Sequence, residues 1–248
     1  MIDCIEKGMS DMRYGYYSFY YYDPTYFLIL IGAVLCILAQ LRVKSTYKKY
    51  SRVRSRSGLT GAQAAQRILQ MSGIYDVRIE HVRGELTDHY DPSKKVLRLS
   101  DTVYGSDSIA AIGVAAHECG HAVQHDKGYA PLNFRTALVP VANIGSWAGI
   151  PLIFLGAILG MNQTLIHIGI WVFALAVLFQ IVTLPVEFNA SGRALAMLGN
   201  YGMLSQDETR GCRKVLSAAA LTYVAAAAAA ILQLLRLILL FGGGRRRD

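Results

Sequence analysis

Cysteine is scarce and scattered. The 248 residues hold 4, at Cys4, Cys36, Cys119 and Cys212, and no two stand at a spacing that suggests a thiolate metal site or a disulfide framework. That excludes a small stapled secreted domain and fits a reducing compartment. Charge is thin as well, at 17% of residues against 53% hydrophobic, which points away from an ordinary soluble protein. The parts of a removable secretory leader are missing, because no basic segment precedes the first apolar run and no small-x-small site follows it. The net charge of +8 comes without a reading helix or a base-stacking platform, so nucleic acid is excluded as the partner.

What fills the composition is apolar sequence in runs long enough to cross a bilayer. The first, residues 27–41, reaches roughly 18 to 20 residues when counted from Pro24 to Val43, enough for one span, and is expected to be a retained anchor. Arg42, Lys44, Lys48, Lys49, Arg52, Arg54 and Arg56 follow it directly. Such a cluster marks the cytoplasmic side. On the other side, residues 1–26 form a tail with Tyr14, Tyr16, Tyr17, Phe19, Tyr20, Tyr21, Tyr22 and Tyr26, expected as an outer interfacial belt. Residues 137–159 and 165–184 make a membrane hairpin (137–184) across a five-residue loop, and residues 215–241 supply a fourth span or a re-entrant helix, with Arg236 near its end and Arg245, Arg246 and Arg247 beyond.

Residues 42–134 have mixed composition and are expected to be a soluble cytoplasmic domain. Thr60 suits an N-cap, residues 62–71 a short helix and Gly73 its C′ position. Residues 77–82 and 95–100 alternate at period two around a turn-rich segment, which predicts a small antiparallel sheet whose strand just ahead of the next helix offers an edge to an extended peptide. Ser106 or Asp107 can cap that helix, expected over residues 108–126. The fold class is therefore an α+β membrane protein, mostly helical, with three or four transmembrane helices and a small antiparallel sheet.

Within that helix stands His117-Glu118-Cys119-Gly120-His121. At about 3.6 residues per turn, positions i and i+4 share a face, so both imidazoles can reach one ion, and Glu118 flanks that face within reach of a water on the ion. This is the His-Glu-x-x-His arrangement of zinc hydrolases. A catalytic zinc keeps a third protein ligand. His125 lies about 12 Å from His117 along the helix, too far to share the ion, and is expected to compensate the helix dipole. Glu187 is the stronger candidate. The basic cluster and the hairpin bring it out on the face that holds His117, as part of a cytoplasmic segment over residues 185–214 that Pro185 starts or kinks. On a helix Glu187 shares a face with Ala190, Ser191 and Ala194, small enough for the motif helix to approach. Asp207 and Glu208 are expected in a solvated turn. Cys119 is expected to pack away from the metal, Gly120 to admit a neighbour, and His167 to stay structural. For a donor to a developing oxyanion, Arg193, Asn189, His89 and Tyr104 are all open by residue type.

These features resemble the integral-membrane gluzincin peptidases, such as the HtpX-type and CAAX prenyl proteases. Residues 84–92, 115–124 and 187–191 resemble more narrowly the bacterial YugP-like neutral zinc metallopeptidase family, over nearly the whole chain from about Phe27. The resemblance implies zinc at His117, His121 and Glu187, with Glu118 as general base and proton donor. Many gluzincins carry an Asp four residues after the Glu ligand, to orient a ligand His. Here that place is Ser191, whose hydroxyl can accept the same bond, unless another acid substitutes for it. The expected function is a multi-pass membrane zinc endopeptidase, acting on a peptide or membrane-protein substrate at the cytoplasmic face. The alternatives are a zinc-stabilised membrane scaffold and a hydrolase of another substrate near the bilayer.

Overall fold

The computed structural model describes residues 23–242, so most of the aromatic tail and Arg245 to Arg247 lie outside the described residues. Helix α1 (Tyr26–Tyr50) is apolar around its whole circumference as far as Ala39, with Phe27, Leu30, Ile37 and Leu38 facing outward, and basic beyond Leu41. Such a surface has no place in water; it is that of a helix bathed in lipid. Three further helices are long and apolar enough to cross a membrane: α5 (Ala130–Ile158), α6 (Gln163–Asn200) and α7 (Gln206–Phe241). The protein is thus mostly helical and of membrane type, with a small sheet.

The remaining elements are α2 (Gly61–Met71), β1 (Arg78–Val82), β2 (His89–Asp91), β3 (Val96–Ser100), the single turn α3 (Asp101–Tyr104) and α4 (Ile109–Asp126). Thr60 caps α2 in a capping box, its hydroxyl accepting from Gln63 N while Gln63 Oε1 accepts from Thr60 N. Gly73 follows with φ +77°, the left-handed turn that glycine adopts freely. Helix α4 is capped by Ser108 rather than by either residue before it, Ser108 Oγ accepting from Ala111 N at 3.2 Å.

The sheet departs from expectation. Its order is β1-β3-β2, and the two period-two runs pair in parallel, Ile79 opposite Leu97, while β2 takes the antiparallel place beside β3. The tight turn explains it. Asp91 Oδ1 accepts from the N–H groups of Ser93 and Lys94, both at 3.1 Å, and folds β2 straight back onto β3. Only the far edge of β3 remains for β1. The strand just ahead of the motif helix is therefore central and buried, and the free edge nearest α4 belongs to β2.

Helices α5 and α6 form the hairpin. A Cβ at Gly145 would stand 2.5 Å from Val172 O, so backbones approach here as small residues allow in membranes. Helix α6 does not break at Pro185. Its 38 residues run about 57 Å at 1.5 Å each, longer than a hydrocarbon core of about 30 Å is deep, and its last third, with Glu187, Ser191 and Arg193, follows the apolar stretch. Helices α1 and α7 pack antiparallel: Gly32 meets Ala229, and Tyr50 meets Gly211.

Glu208 is buried, not solvated. Its carboxylate closes a capping box with Ser205, accepting from Ser205 N at 2.8 Å, and also accepts from Arg56 N at 2.7 Å. It thereby ties the chain after α1 to the start of α7, whereas Asp207 stays exposed against Arg210. Replacing Glu208 with Ala leaves two N–H groups unsatisfied and is expected to cost about 2 kcal/mol of stability, read as a lowered midpoint in thermal unfolding of the detergent-purified protein.

Candidate active site

Helix α4 places His117 and His121 one turn apart, with ring centroids 4.8 Å apart and planes 86° to one another. Helix α6 brings Glu187 against them. Its Oε2 lies 3.3 Å from His117 Nε2 and 3.7 Å from His121 Nε2, and the three groups offer ligand atoms all within 4.8 Å of one another. Close helix packing makes this possible. A Cβ at Gly120 would fall 2.5 Å from Ala190 O, so only glycine lets α4 lie this near the α6 backbone. Ala190 and Ala194 present the matching small surface and are fully buried.

The polar atoms behind the imidazoles fix their orientation. Gln124 is wholly buried, and its Nε2 donates to Val186 O at 2.8 Å and to Asn189 Oδ1 at 3.0 Å. A backbone carbonyl can only accept, so the amide nitrogen faces α6 and Oε1 faces His121. Oε1 in turn can only accept, at 3.0 Å from His121 Nδ1, so Nδ1 carries the hydrogen and Nε2 presents its lone pair toward Glu187. His117 Nδ1 lies 3.1 Å from Ser191 Oγ. The Ser191 hydroxyl thus stands where it can accept that bond. Asn189 Oδ1 also accepts from Arg193 Nε at 2.8 Å, and the Arg193 guanidinium lies 6.0 Å from the Tyr129 ring centre.

The fit to a metal ion can be tested on Glu187. Its side chain is 3% exposed, and Oε2 has no hydrogen-bond partner among the described residues. A buried carboxylate oxygen without a partner is costly, and a cation between the three side chains removes the cost. The donor set, two imidazoles and one carboxylate, is one that zinc accepts. Burial works to lower the His121 pKa, but the Glu187 carboxylate against its ring and the nearby Glu118 charge outweigh it and hold it above its ordinary value.

Glu118 is buried beside this centre, and cavities open on both sides of it. One, of about 310 Å³, is walled by Gln40 and Val43 of α1 and by Ala219, Ala220 and Thr222 of α7. The other, of about 180 Å³, is walled by His89 and Tyr90 of β2 and by Arg135 of α5. Both reach His117, Glu118, Glu187, Asp88 and Tyr223, so they form one cleft across the centre. Asp88 is held by Ser100, accepting from its N at 2.7 Å and its Oγ at 2.9 Å, while burial raises its carboxyl pKa.

The other candidates fall into place. Cys119 is fully buried in the core, its thiol toward Ala65 O, and burial pushes its pKa well up. His125 Nδ1 pairs with Tyr90 OH at 2.9 Å and stays out of the ligand group. His167 is exposed near the start of α6, at the far end from Glu187. Of the residue types open for an oxyanion donor, His89 lines the cleft, Tyr104 stacks edge-on against His81 instead, and Asn189 and Arg193 belong to the scaffold behind His121. Sequence reasoning missed Gln124, Arg135 and Tyr223. The signal for Tyr223 was its phenol standing alone in the Ala-rich run of α7; that for Arg135 was a cation just ahead of an apolar run.

Fold and site together define a class: a helical membrane-type protein with a candidate mononuclear metal centre between a two-histidine helix and a carboxylate helix. The comparisons with known proteins carry this to a family. Residues 25–242 match the family described as "Putative neutral zinc metallopeptidase", and the chain belongs to it. It is 52% identical over 199 residues to the "Putative membrane protease YugP" of Bacillus subtilis (strain 168), covering 80% of this chain and 88% of that protein. No solved structure matches the chain.

Gln124→Met keeps the volume but removes the amide that orients His121. Zinc affinity, read by competition with a chromophoric chelator, is expected to fall about 10- to 100-fold.

Proposed function

We propose that this chain is a membrane-bound zinc endopeptidase of the gluzincin type, hydrolysing peptide bonds at the cytoplasmic face of the membrane. One observation carries the reading: the ligand atoms of His117, His121 and Glu187 converge within 4.8 Å around an unpartnered carboxylate oxygen, with Glu118 beside them in an open cleft.

His117 Nε2, His121 Nε2 and a Glu187 oxygen would hold the zinc. Bound there, zinc supplies Lewis-acid activation of water and of the scissile carbonyl. The chain's own residues do the rest. Glu118 takes the proton of the attacking water and passes it to the leaving amine. The Tyr223 phenol, which looks into both halves of the cleft, donates to the oxyanion that develops on the carbonyl. Arg135, whose Nε is buried without a partner among the described residues, adds positive charge on the same side. Gln124 and Ser191 keep both imidazoles turned correctly.

The cleft also bears on the substrate. Its β2 wall is a free sheet edge along which an extended peptide can add a strand. Its α1/α7 wall is apolar and stands at the end of the apolar runs, which favours a peptide presented at the membrane surface. The seven cations from Arg42 to Arg56 follow the apolar run of α1 on the side of the site, and that bias supports a cytoplasmic orientation.

With the zinc-loaded protein in detergent and a quenched fluorescent peptide, Glu118→Gln is expected to lower hydrolysis by about 10²- to 10⁴-fold while zinc content and thermal midpoint stay unchanged. An undiminished rate in folded, zinc-loaded protein would sink the mechanism and favour a scaffold role. Tyr223→Phe is expected to lower kcat about 10²- to 10³-fold with little change in KM. A loss confined to KM would instead make Tyr223 a substrate-binding group.

A further inference from the structure

On the side of the α1/α7 pair turned away from the catalytic cleft lies a second groove, of about 650 Å³. Arg42 and Lys49 of α1 and Arg213 and Lys214 of α7 line it, and they line neither half of the cleft. None of the four forms an ion pair with an acid among the described residues, although Arg54 and Arg210, nearby in sequence, do so. Lys49 has only the Tyr50 ring, at 5.7 Å. Four like charges around one groove repel one another and are relieved by an anion between them.

The helix register says what kind of anion. Because α1 and α7 run antiparallel, with Gly32 against Ala229 and Tyr50 against Gly211, Leu41 and Leu221 stand at one level. Both are exposed, at 59% and 40%, and Leu41 ends the apolar run of α1. Leu221 also forms the upper end of the groove. Arg42 comes directly beneath this level, and Lys49 about 10 Å further down at 1.5 Å per residue. A headgroup layer is about 5 to 7 Å deep on each side of the hydrocarbon, so the cations flank it from top to bottom. Between them Ser45 and Ser217 offer hydroxyls that can bond a phosphodiester or a polyol.

We propose that this groove binds the headgroup of an anionic phospholipid, the phosphate between Arg42, Lys49, Arg213 and Lys214 and the acyl chains along Leu41 and Leu221. A free phosphate offers the same charge but nothing for the apolar end. A zwitterionic headgroup sets its ammonium against four cations. The site is independent of the peptidase reading and depends only on the apolar helices lying in a bilayer.

The test is native mass spectrometry of the full chain released from detergent, with phosphatidylglycerol, phosphatidylcholine of the same chains, or inorganic phosphate as probe. Phosphatidylglycerol is expected to be retained, phosphatidylcholine not, and phosphate at equal concentration not to displace the lipid. Each cation near a headgroup is worth about fivefold in affinity, so R213Q/K214Q is expected to weaken retention about 25-fold. The control K44Q/K48Q removes the same charge from exposed positions outside the groove and is expected to change it less than about twofold. Equal losses in the two double variants, or none in R213Q/K214Q, overturn the site. Displacement by phosphate, or equal retention of phosphatidylcholine, overturns the lipid. Should R213Q/K214Q fail to fold, Arg42→Gln carries the same reading through an expected loss of about fivefold, and unchanged retention overturns it.

Discussion

The distance between two helix backbones governs the site. Helix α4 carries His117 and His121 and helix α6 carries Glu187, and the gap between them is set where Gly120 touches Ala190 O. A side chain at position 120 forces the helices apart by more than an ångström, and the buried carboxylate then loses the imidazoles that compensate it. The glycine carries no chemistry, yet its missing Cβ lets three ligand atoms come within 4.8 Å. Gln124 locks the same contact from the other side, because one amide spans both helices, holding Val186 O and Asn189 on α6 while it orients His121 on α4. Geometry and tautomer thus come from the same piece of packing.

The apolar zone sets the second constraint, and it acts through length. A helix of 38 residues is longer than a hydrocarbon core is deep, and beyond its apolar stretch α6 carries the polar groups Glu187, Ser191 and Arg193. The opposite end shows what a charge inside the apolar zone requires. Arg236 of α7 pairs with Asp23 at 3.0 Å and lies 4.4 Å from the Tyr26 ring centre, so its cost is met by a counter-ion and an aromatic face contributed from the start of α1. This clamp at one end and the Glu208 carboxylate at the other fix the register of α1 against α7.

Local rules read from the sequence succeeded where neighbours in sequence decide the outcome. The spacing of His117 and His121, the Thr60 cap and the Gly73 turn each depend on a few adjacent residues. Glu187 was reachable because hydrophobic runs alternate sides of a bilayer and so carry long-range information. Ser191 sits one turn beyond Glu187, but the sequence left open whether its hydroxyl or another acid stands behind His117. The parallel pairing of β1 with β3 was not legible, because the turn at Asp91 decides it only by occupying the other edge of β3. Glu208 looked like a solvated acid because its partner, Arg56 N, is a backbone group 152 positions away. Tyr223 and Arg135 belong to helices whose own patterns say only that they are apolar, and nothing in a helix pattern tells which residue faces a cleft built by other helices.

That last point bears on how α1 and α7 work as a pair. One side of the pair walls the cleft through Gln40, Val43 and Tyr223, and the other carries the basic groove through Lys49 and Arg213. Successive residues of a helix point about 100° apart, so a short stretch such as Leu221 to Tyr223 serves both sides. The Glu208 tie and the Arg236 clamp hold the two helices together at both ends, so the wall of the cleft and the wall of the groove are two faces of one packed unit whose register is fixed. The chemistry at Glu118 and the surroundings of the membrane surface thus meet in one helix pair, through packing alone.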